Sequence, residues 1–308
     1  MMTDVIQTED LTKHYGKVNA AEAVDLKIKQ GEIYGFLGLN GAGKTTTIRM
    51  LLGMIRPTRG KAYLFGKKVD PGNMDLWNKV GHLVEIPYSY PELTVLENLE
   101  IFRRLRLLKD PNLLTEIIDK LHLGPYRNIK FKNLSLGNAQ RLGIAKAMMH
   151  HPGLLILDEP ANGLDPSGIV QIRELLIDLA GNHGVTIFIS SHILGEISRF
   201  ATRIGIIHEG HMIRESDVDQ LKNSRHRALH VNTLDNKRAH ELLISQGYSP
   251  GHLPDGSLEM PGDSAISHPE KISAMLALQG LAPTRIAVEE EDLEHYFFRI
   301  IQTNSRQS

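Results

Sequence analysis

The chain has 308 residues, of which 41% are hydrophobic and 23% are charged, and its formal net charge is −1. These proportions are typical of a globular protein, and the balanced charge argues against binding to nucleic acid through an overall basic field. The absence of cysteine excludes disulfides and cysteine-based metal or redox sites, and the length predicts one large domain with an appendage.

The first part of the chain predicts strands and then a phosphate-binding loop. Residues 5–30 alternate apolar and polar side chains around a turn at Tyr15-Gly16-Lys17, which indicates short antiparallel strands. An apolar stretch at 33–37 predicts a buried strand, and a helical pattern covers 47–52. The glycine-rich run at 38–46 lies between them. Strand, glycine-rich loop and helix in this order are typical of a P-loop.

The residue types of the run at 38–46 suit a nucleotide and its metal. Glycines let backbone N–H groups curl around a phosphate, and the helix N-terminus adds a positive dipole end. Lys44 can reach the β- and γ-phosphates, and the Thr45 hydroxyl can hold Mg²⁺. A turn that binds nothing would leave Lys-Thr-Thr after the last glycine unexplained. The predicted nucleotide-binding residues here are Gly38, Asn40, Gly41, Ala42, Gly43, Lys44, Thr45 and Thr46.

The middle of the chain predicts an α/β fold. A turn at 56–60 precedes a strand at 61–66, and helical patterns cover 93–108, 110–121 and 139–150. Apolar runs at 154–157 and 185–189 flank a helix at 167–181, and a hairpin is predicted at 204–213. Continuous apolar strands joined by helices predict a parallel sheet that is covered on both faces.

Two carboxylates end the predicted strand at 154–157. A hydrolytic P-loop site needs one carboxylate to order Mg²⁺ and another to polarise water. Asp158 is the candidate for the metal shell, and Glu159 is the candidate base. They could instead be two capping acids, but the P-loop upstream favours one shared site.

The chain has 15 histidines, none with the His-x-x-x-His spacing of a zinc site beside a glutamate base. His150-His151 is predicted to be a solvated helix end rather than a ligand pair. The N-terminus lacks the regions of a signal peptide, and no apolar stretch reaches roughly 18 residues. We therefore expect any membrane association to come through a partner.

After about residue 222 the pattern predicts a small α+β appendage. The final helix carries an apolar stripe of Leu293, Phe297, Ile300 and Ile301, which either packs on its own domain or binds a partner. The predicted strands are 228–232, 257–260 and 285–288, and the predicted helices are 236–246, 269–279 and 291–301.

Leu134-Ser135-Leu136-Gly137-Asn138 resembles the signature motif of the ATP-binding cassette (ABC) ATPases, which is usually Leu-Ser-Gly-Gly-Gln. Ser135 can cap the following helix, and its hydroxyl and the Gly137 amide can bind a phosphate there. Three more positions match the family. The resemblance implies that Tyr15 stacks on adenine, that Asp165 belongs to the D-loop that communicates across a dimer, and that His192 is the switch histidine that contacts the γ-phosphate.

Two departures resemble the bacitracin-exporter and lantibiotic-immunity branch. Glu85 stands where the family usually has Gln in the loop that enters the helical subdomain, and it is predicted to contact Mg²⁺ or the attacking water. The signature has Leu136 for the first Gly and Asn138 for Gln. The closing segment at 293–298 is also similar to that branch.

The resemblance covers about residues 3–220 and implies a P-loop core with antiparallel β and helical subdomains. It implies a nucleotide-binding domain at 1–222, its helical subdomain at about 86–150, and the α+β appendage at 223–308. In this family two such domains close head to tail over ATP. The implied partners are a second nucleotide-binding subunit, forming a homodimer, and a multispanning permease that holds the pair at the cytoplasmic face of the membrane.

The implied activity is ATP hydrolysis that powers export or membrane clearance of a peptide antibiotic or another amphipathic compound. The alternative is an ABC protein that acts as a non-transport switch in translation or assembly. The chain has one set of motifs and no basic coiled-coil arm, which counts against a ribosomal role, and nucleic acid is not an expected partner. A P-loop kinase would leave the signature, D-loop and switch histidine unexplained.

Overall fold

A computed structural model describes residues 3–85 and 87–305. They divide into two compact units, of which the first ends at Val218 and the second begins at Asp219. Among the described residues no helix has the length and apolar character needed to cross a membrane.

The first unit opens with a five-stranded antiparallel sheet, as the alternation in the sequence predicts. β1 is a single long strand that pairs with three others. Each of these pairings contains a register shift, which is typical of a β-bulge that bends a strand. The strands are β1 (Asp4–Tyr15), β2 (Val18–Val24), β3 (Lys27–Lys29), β5 (Arg59–Leu64) and β6 (Lys67–Lys68).

A six-stranded sheet forms the centre of this unit, and its core strands are buried at every position. Its strands are β4 (Ile33–Leu37), β7 (Val80–Leu83), β8 (Leu154–Asp158), β9 (Thr186–Ser191), β10 (Arg203–His208) and β11 (His211–Asp217). The order is β11-β10-β4-β9-β8-β7, and all neighbours are parallel except β10 and β11. The predicted parallel sheet is confirmed, and β7 is an edge strand that the sequence analysis does not predict.

Helices flank the central sheet and build the helical subdomain. They are α1 (Lys44–Leu51), α2 (Met74–Trp77), α3 (Val95–Leu105), α4 (Leu113–Lys120), α5 (Leu136–Met148), α6 (Pro166–His183) and α7 (Leu194–Ile197). Short 3₁₀ turns cover Gly124–Tyr126 and Phe131–Asn133. The prediction that α5 starts at 139 is wrong by one turn, because Ser135 accepts a hydrogen bond from the Asn138 amide and the helix begins directly after it.

The second unit is α+β, as predicted. Its helices are α8 (Val218–Asn223), which starts at the unit boundary, α9 (Asn236–Ser245), α10 (Asp263–Ser267), α11 (Pro269–Leu278) and α12 (Leu293–Ser305). Its strands are β12 (Arg227–Asn232), β13 (Gly251–His252), β14 (Leu258–Pro261) and β15 (Arg285–Glu290), in the order β13-β14-β12-β15. Three residues of the α12 stripe, Phe297, Ile300 and Ile301, are buried within this chain.

The His150-His151 pair differs from the prediction. His151 is exposed, but His150 is half-buried and its Nε2 lies 3.1 Å from the Val80 carbonyl oxygen of β7. Burial, aided by the charge of Arg106, lowers the pKa of His150 to about 4. The side chain therefore joins the end of α5 to the edge strand in its neutral form.

We expect the first unit to lose stability as the pH falls from about 6.5 towards 4. The pKa of His150 is lower in the folded chain than its usual 6.5, so below that pH the unfolded state takes up a proton first. Because the side chain is only partly buried, we expect a loss of about 1 kcal/mol, or about 2–4 °C in Tm. Thermal unfolding at neutral and acid pH measures it. His150→Gln should show a smaller decrease, and an equal decrease would assign the effect to other groups.

Candidate active site

The P-loop joins the end of β4 to the start of α1, and two of its glycines are fixed by close backbone approaches. A Cβ atom at Gly38 would lie 2.5 Å from the Ile207 carbonyl oxygen, and one at Gly43 would lie 2.3 Å from the Ala20 carbonyl oxygen. Gly43 also has φ of 109° and precedes α1 without a side-chain cap. Larger residues therefore do not fit at these two positions. Among the described residues, no side chain accepts a hydrogen bond from the backbone amides in the first turn of α1.

Lys44, the first residue of α1, has a buried side chain with its ammonium group at the centre of the site. Nζ donates to the carbonyl oxygens of Gly38, at 2.6 Å, and Leu39, at 3.3 Å. It also lies 3.2 Å from Oε1 of Glu159. The cation therefore stands between the P-loop and the carboxylate that follows β8.

Asp158, the last residue of β8, is hydrogen-bonded to the first turn of α1 and to β9. Its Oδ2 accepts a 2.8 Å hydrogen bond from the Thr45 hydroxyl, and its Oδ1 accepts one of 2.5 Å from the Ser190 hydroxyl. The carboxylate is almost fully buried. It thus connects the P-loop helix to β9.

Glu159 is held by its backbone and by His192. Its amide donates to Ser190 Oγ at 3.0 Å, and its carbonyl oxygen accepts from Gln140 Nε2 at 3.3 Å. The second carboxylate oxygen, Oε2, is 2.9 Å from His192 Nδ1. Its φ is 49°, in the left-handed region that side chains larger than glycine rarely adopt. The structure therefore brings two of the three predicted catalytic residues, Glu159 and His192, into direct contact, whereas the third, Glu85, does not join them.

Ser190 and Gln140 support this site, and the sequence analysis gives neither a role. Ser190 bridges the Asp158 side chain and the Glu159 amide. Gln140 lies on α5, two residues after the signature motif, and donates to the Glu159 carbonyl oxygen. Both contacts depend on the tertiary fold, so the local sequence around Ser190 and Gln140 does not indicate them.

The oxygen atoms at Thr45 and Asp158 fit Mg²⁺ by their chemistry. A hydroxyl and a carboxylate are hard ligands, and Mg²⁺ usually takes one or two protein ligands together with substrate phosphates and water. The part of the chain that the structure describes contains no group of three or more acidic or histidine side chains placed to enclose a metal ion. A site of two protein ligands that is completed by a nucleotide agrees with this.

The other predicted P-loop residues lie in the loop and the first turn of α1, and Tyr15 lies at the end of β1. Gly41 has φ of 81°, Ala42 is buried and Asn40 is exposed. Thr46 is partly exposed on α1. Tyr15 ends β1 with a half-exposed ring, and the Lys13 ammonium lies 5.0 Å from its centroid. The Lys13 ammonium occupies one face of the ring, so an adenine would stack on the other face.

Ser135, Gly137 and Asp165 form a separate group. Asp165 caps α6, because its side chain accepts a hydrogen bond from the Gly168 amide at 3.0 Å. The hydrogen bond from the Ser167 hydroxyl, and to a smaller extent the one from the Gly168 amide, lowers the pKa of the Asp165 carboxyl. A Cβ atom at Gly137 would be 3.0 Å from the Gly163 carbonyl oxygen. No hydrogen bond or ion pair between described residues joins Ser135, Gly137 or Asp165 to the P-loop.

Leu136 gives the signature of this chain a contact that glycine would not make. Its side chain lies against Gly163, where an added Cβ would be 2.4 Å from Leu136 Cδ2. Gly163 has φ of 78° and belongs to the predicted D-loop. The signature turn and the D-loop are therefore packed together within one subunit.

Glu85 lies outside the cluster of Lys44, Asp158 and Glu159. Its half-exposed carboxylate forms a salt bridge with Arg49 of α1, and its φ is 60°. The contacts of the described residues do not join Glu85 to Thr45 or Asp158. Its predicted contact with Mg²⁺ or water therefore stays a prediction.

Sequence comparison adds known relatives to this geometry. Residues 21–162 match the family described as ABC transporter. A bacitracin transport ATP-binding protein, BcrA, from Bacillus licheniformis is 40% identical over 304 residues, which cover 97% of this chain and 98% of the relative. The lantibiotic transport ATP-binding protein SrtF from Streptococcus pyogenes is 36% identical over 219 residues, which cover 71% of this chain and 93% of the relative.

A solved structure agrees with the sequence relatives. The dimeric ATP-binding cassette MJ0796, in a post-hydrolysis state bound to ADP and phosphate, is 27% identical with a TM-score of 0.64. The match covers 69% of this chain and 98% of that one.

Proposed function

This chain belongs to the family of ABC transporter ATP-binding subunits, and we propose that it powers export or membrane clearance of a peptide antibiotic or another amphipathic compound through a separate permease. Its enzymatic activity is the hydrolysis of ATP to ADP and phosphate, coupled to transport. The named transport roles of the bacitracin and lantibiotic relatives support the proposed substrate class.

The contacts around Lys44 carry the assignment of the catalytic site. Lys44 would neutralise phosphate charge, and the P-loop amides would bind the remaining phosphate oxygens. Thr45 and Asp158 would hold Mg²⁺, which would offset the charge of the phosphates. Glu159 would accept the proton of the attacking water, while His192, at 2.9 Å, would orient the carboxylate and contact the γ-phosphate. Tyr15 would stack on the adenine ring.

We further propose that two copies close head to tail around ATP. Among the described residues, Ser135 and Gly137 make no polar contact with the P-loop of their own chain, which leaves them for the nucleotide of a second subunit. Leu136 and Gly163 would move together in such a closure, because they are in contact. Loss of the γ-phosphate would favour the open state. The permease would hold this pair at the cytoplasmic face of the membrane.

Native purification together with a resistance assay tests the proposed transport role. A multispanning permease should co-purify with the chain, and cells that express both should tolerate a bacitracin-like peptide better than cells that express either alone. Recovery of ribosomes or of a soluble assembly complex in place of a permease would support the non-transport alternative and contradict the proposal.

We propose that Glu85 couples the nucleotide site to the permease. Its salt bridge with Arg49 links it to the helix that begins at Lys44. Its loop continues to Tyr88, whose carbonyl oxygen accepts a hydrogen bond from Lys146 of α5, and to Tyr90, whose amide donates to Asn98 of α3 at 2.8 Å. The chain on either side of residue 86 thus has polar contacts with α1, at Glu85, and with the helical subdomain, at Tyr88 and Tyr90.

Glu85→Ala should therefore reduce antibiotic resistance in cells more than it reduces ATPase activity in vitro. Arg49→Ala should also reduce resistance more than ATPase activity. Replacing an exposed partner of a surface salt bridge should leave stability within about 1 kcal/mol. Glu174→Ala, which changes an exposed glutamate of α6, is the matched control. Resistance equal to that of the parent at equal expression would show that Glu85 is only a surface carboxylate.

A further inference from the structure

A cavity that includes none of the predicted nucleotide-binding residues lies between the end of α1 and the β5–β6 hairpin. Its volume is about 750 Å³. Four cationic residues line it, together with a single acid, Asp70. We call it the basic cavity, and its cations are Arg56, Lys61, Lys67 and Lys68.

The positive charge of the basic cavity is not neutralised by the surrounding chain. Within residues 3–85 and 87–305, none of its four cations forms an ion pair, whereas the neighbouring Arg59 is paired with both Asp10 and Glu22. The Asp70 carboxylate already accepts the Gly72 amide at 2.9 Å. A local excess of positive charge in a chain of net charge −1 indicates an anionic partner.

The walls of the basic cavity are held in place by hydrogen bonds of residues that line it. The Trp77 indole donates to the carbonyl oxygens of Asp70 and Pro71, at 3.1 and 3.2 Å. The Val69 amide donates to the Ala62 carbonyl oxygen at 2.8 Å. The cavity is therefore formed in the free chain, and binding there would not require the walls to fold first.

Two exposed methionines are adjacent in sequence to residues that line the basic cavity. Met54 is 49% exposed and Met74 is 68% exposed, and each is the sequence neighbour of a lining residue. Exposed apolar side chains next to lysine and arginine are typical of a surface that meets the headgroups and upper acyl chains of a membrane. Single-stranded nucleic acid usually also needs aromatic side chains for stacking, and none of the described residues that line the cavity is aromatic.

We propose that the basic cavity binds the headgroups of anionic phospholipids, with Met54 and Met74 entering the membrane interface. The chain would then contact the bilayer directly, in addition to any permease that holds it there. Nothing in this contact depends on which compound is transported.

Vesicle co-sedimentation of the purified full-length chain tests the proposal. The probes are vesicles of phosphatidylcholine alone and of phosphatidylcholine mixed with phosphatidylglycerol. We expect binding to the mixed vesicles only, with a loss as ionic strength rises. The triple variant Lys61→Glu, Lys67→Glu, Lys68→Glu should reduce this binding at least about tenfold, since each cation near an anionic surface contributes appreciably to binding.

The matched control is Lys237→Glu, Arg238→Glu, Lys271→Glu, which makes the same change in net charge on exposed residues of the second unit. It should bind vesicles as the parent does, and both triple variants should retain ATPase activity, which reports folding independently of lipid. Equal binding to both vesicle types, or an equal loss in both variants, would overturn the proposal. So would displacement by inorganic phosphate or by an RNA oligonucleotide at constant ionic strength.

Discussion

Lys44→Ala is expected to abolish ATPase activity and to weaken ATP binding by at least about tenfold, the range of a lost hydrogen bond to a charged group. The ammonium is buried and lies within 3.3 Å of two P-loop carbonyl oxygens and the Glu159 carboxylate. No second cation of the described residues makes these contacts, so the backbone amides alone would face the phosphate charge. Steady-state hydrolysis and equilibrium binding of a fluorescent ATP analogue measure both effects.

Lys237→Ala, which removes an exposed lysine of α9, is the control for Lys44→Ala. It should leave binding and turnover unchanged. The melting temperatures of both variants, measured without nucleotide, show whether a loss of activity comes from unfolding. Near-normal turnover in a folded Lys44→Ala protein would remove the P-loop assignment.

Glu159→Gln is expected to keep ATP affinity and to slow hydrolysis by roughly 10²-fold or more, the usual effect of losing a positioned base. The amide has the same shape, and its oxygen can still accept from His192 Nδ1 at the 2.9 Å contact. Its NH2 group cannot replace the carboxylate oxygen that faces Lys44, but Lys44 would pair with the phosphates when ATP is bound. An amide cannot take the proton of the attacking water. With Mg²⁺ and ATP, the variant should accumulate as a dimer that size-exclusion chromatography detects.

His192→Ala separates the two members of this pair. If Glu159 is the base and His192 orients it, His192→Ala should hydrolyse ATP slowly. Its ATP-bound dimer should be less stable than that of Glu159→Gln, because the proposed contact of His192 with the γ-phosphate is lost. Normal hydrolysis by Glu159→Gln would place the base elsewhere, and His192 would be the next candidate.

The centre of the candidate site follows from sequence order because of how a parallel sheet is built. The P-loop follows β4, Asp158 ends β8 and His192 follows β9, and β9 lies between the other two strands. The carboxyl ends of parallel strands meet at one edge, so residues far apart in the chain come together there. The apolar runs were sufficient to predict β4, β8 and β9, and the P-loop, the two carboxylates and the switch histidine indicated where each of these strands ends.

The supporting contacts could not be predicted in the same way. The bridge from Ser190 to Asp158 and the salt bridge of Arg49 with Glu85 depend on side-chain positions that only the packed structure sets. Strand β7 has four residues, too few for periodicity to identify it, and its pairing with β8 determines where it forms. By contrast, the start of α5 at Leu136 could have been predicted, because the cap at Ser135 was recognised from the sequence and a helix begins directly after its cap.

The left-handed backbone at Glu159 has a consequence for directed evolution. A non-glycine residue at φ of 49° costs of order 1 kcal/mol, which the hydrogen bonds of Ser190 and Gln140 to its backbone must offset. Glycine would adopt this conformation without the cost, but Glu159→Gly would also remove the carboxylate that faces the buried Lys44 ammonium at 3.2 Å. In a library of variants at this position, the left-handed backbone would favour glycine, asparagine and aspartate, which adopt it most readily, and only a screen that also demands turnover would preserve the glutamate.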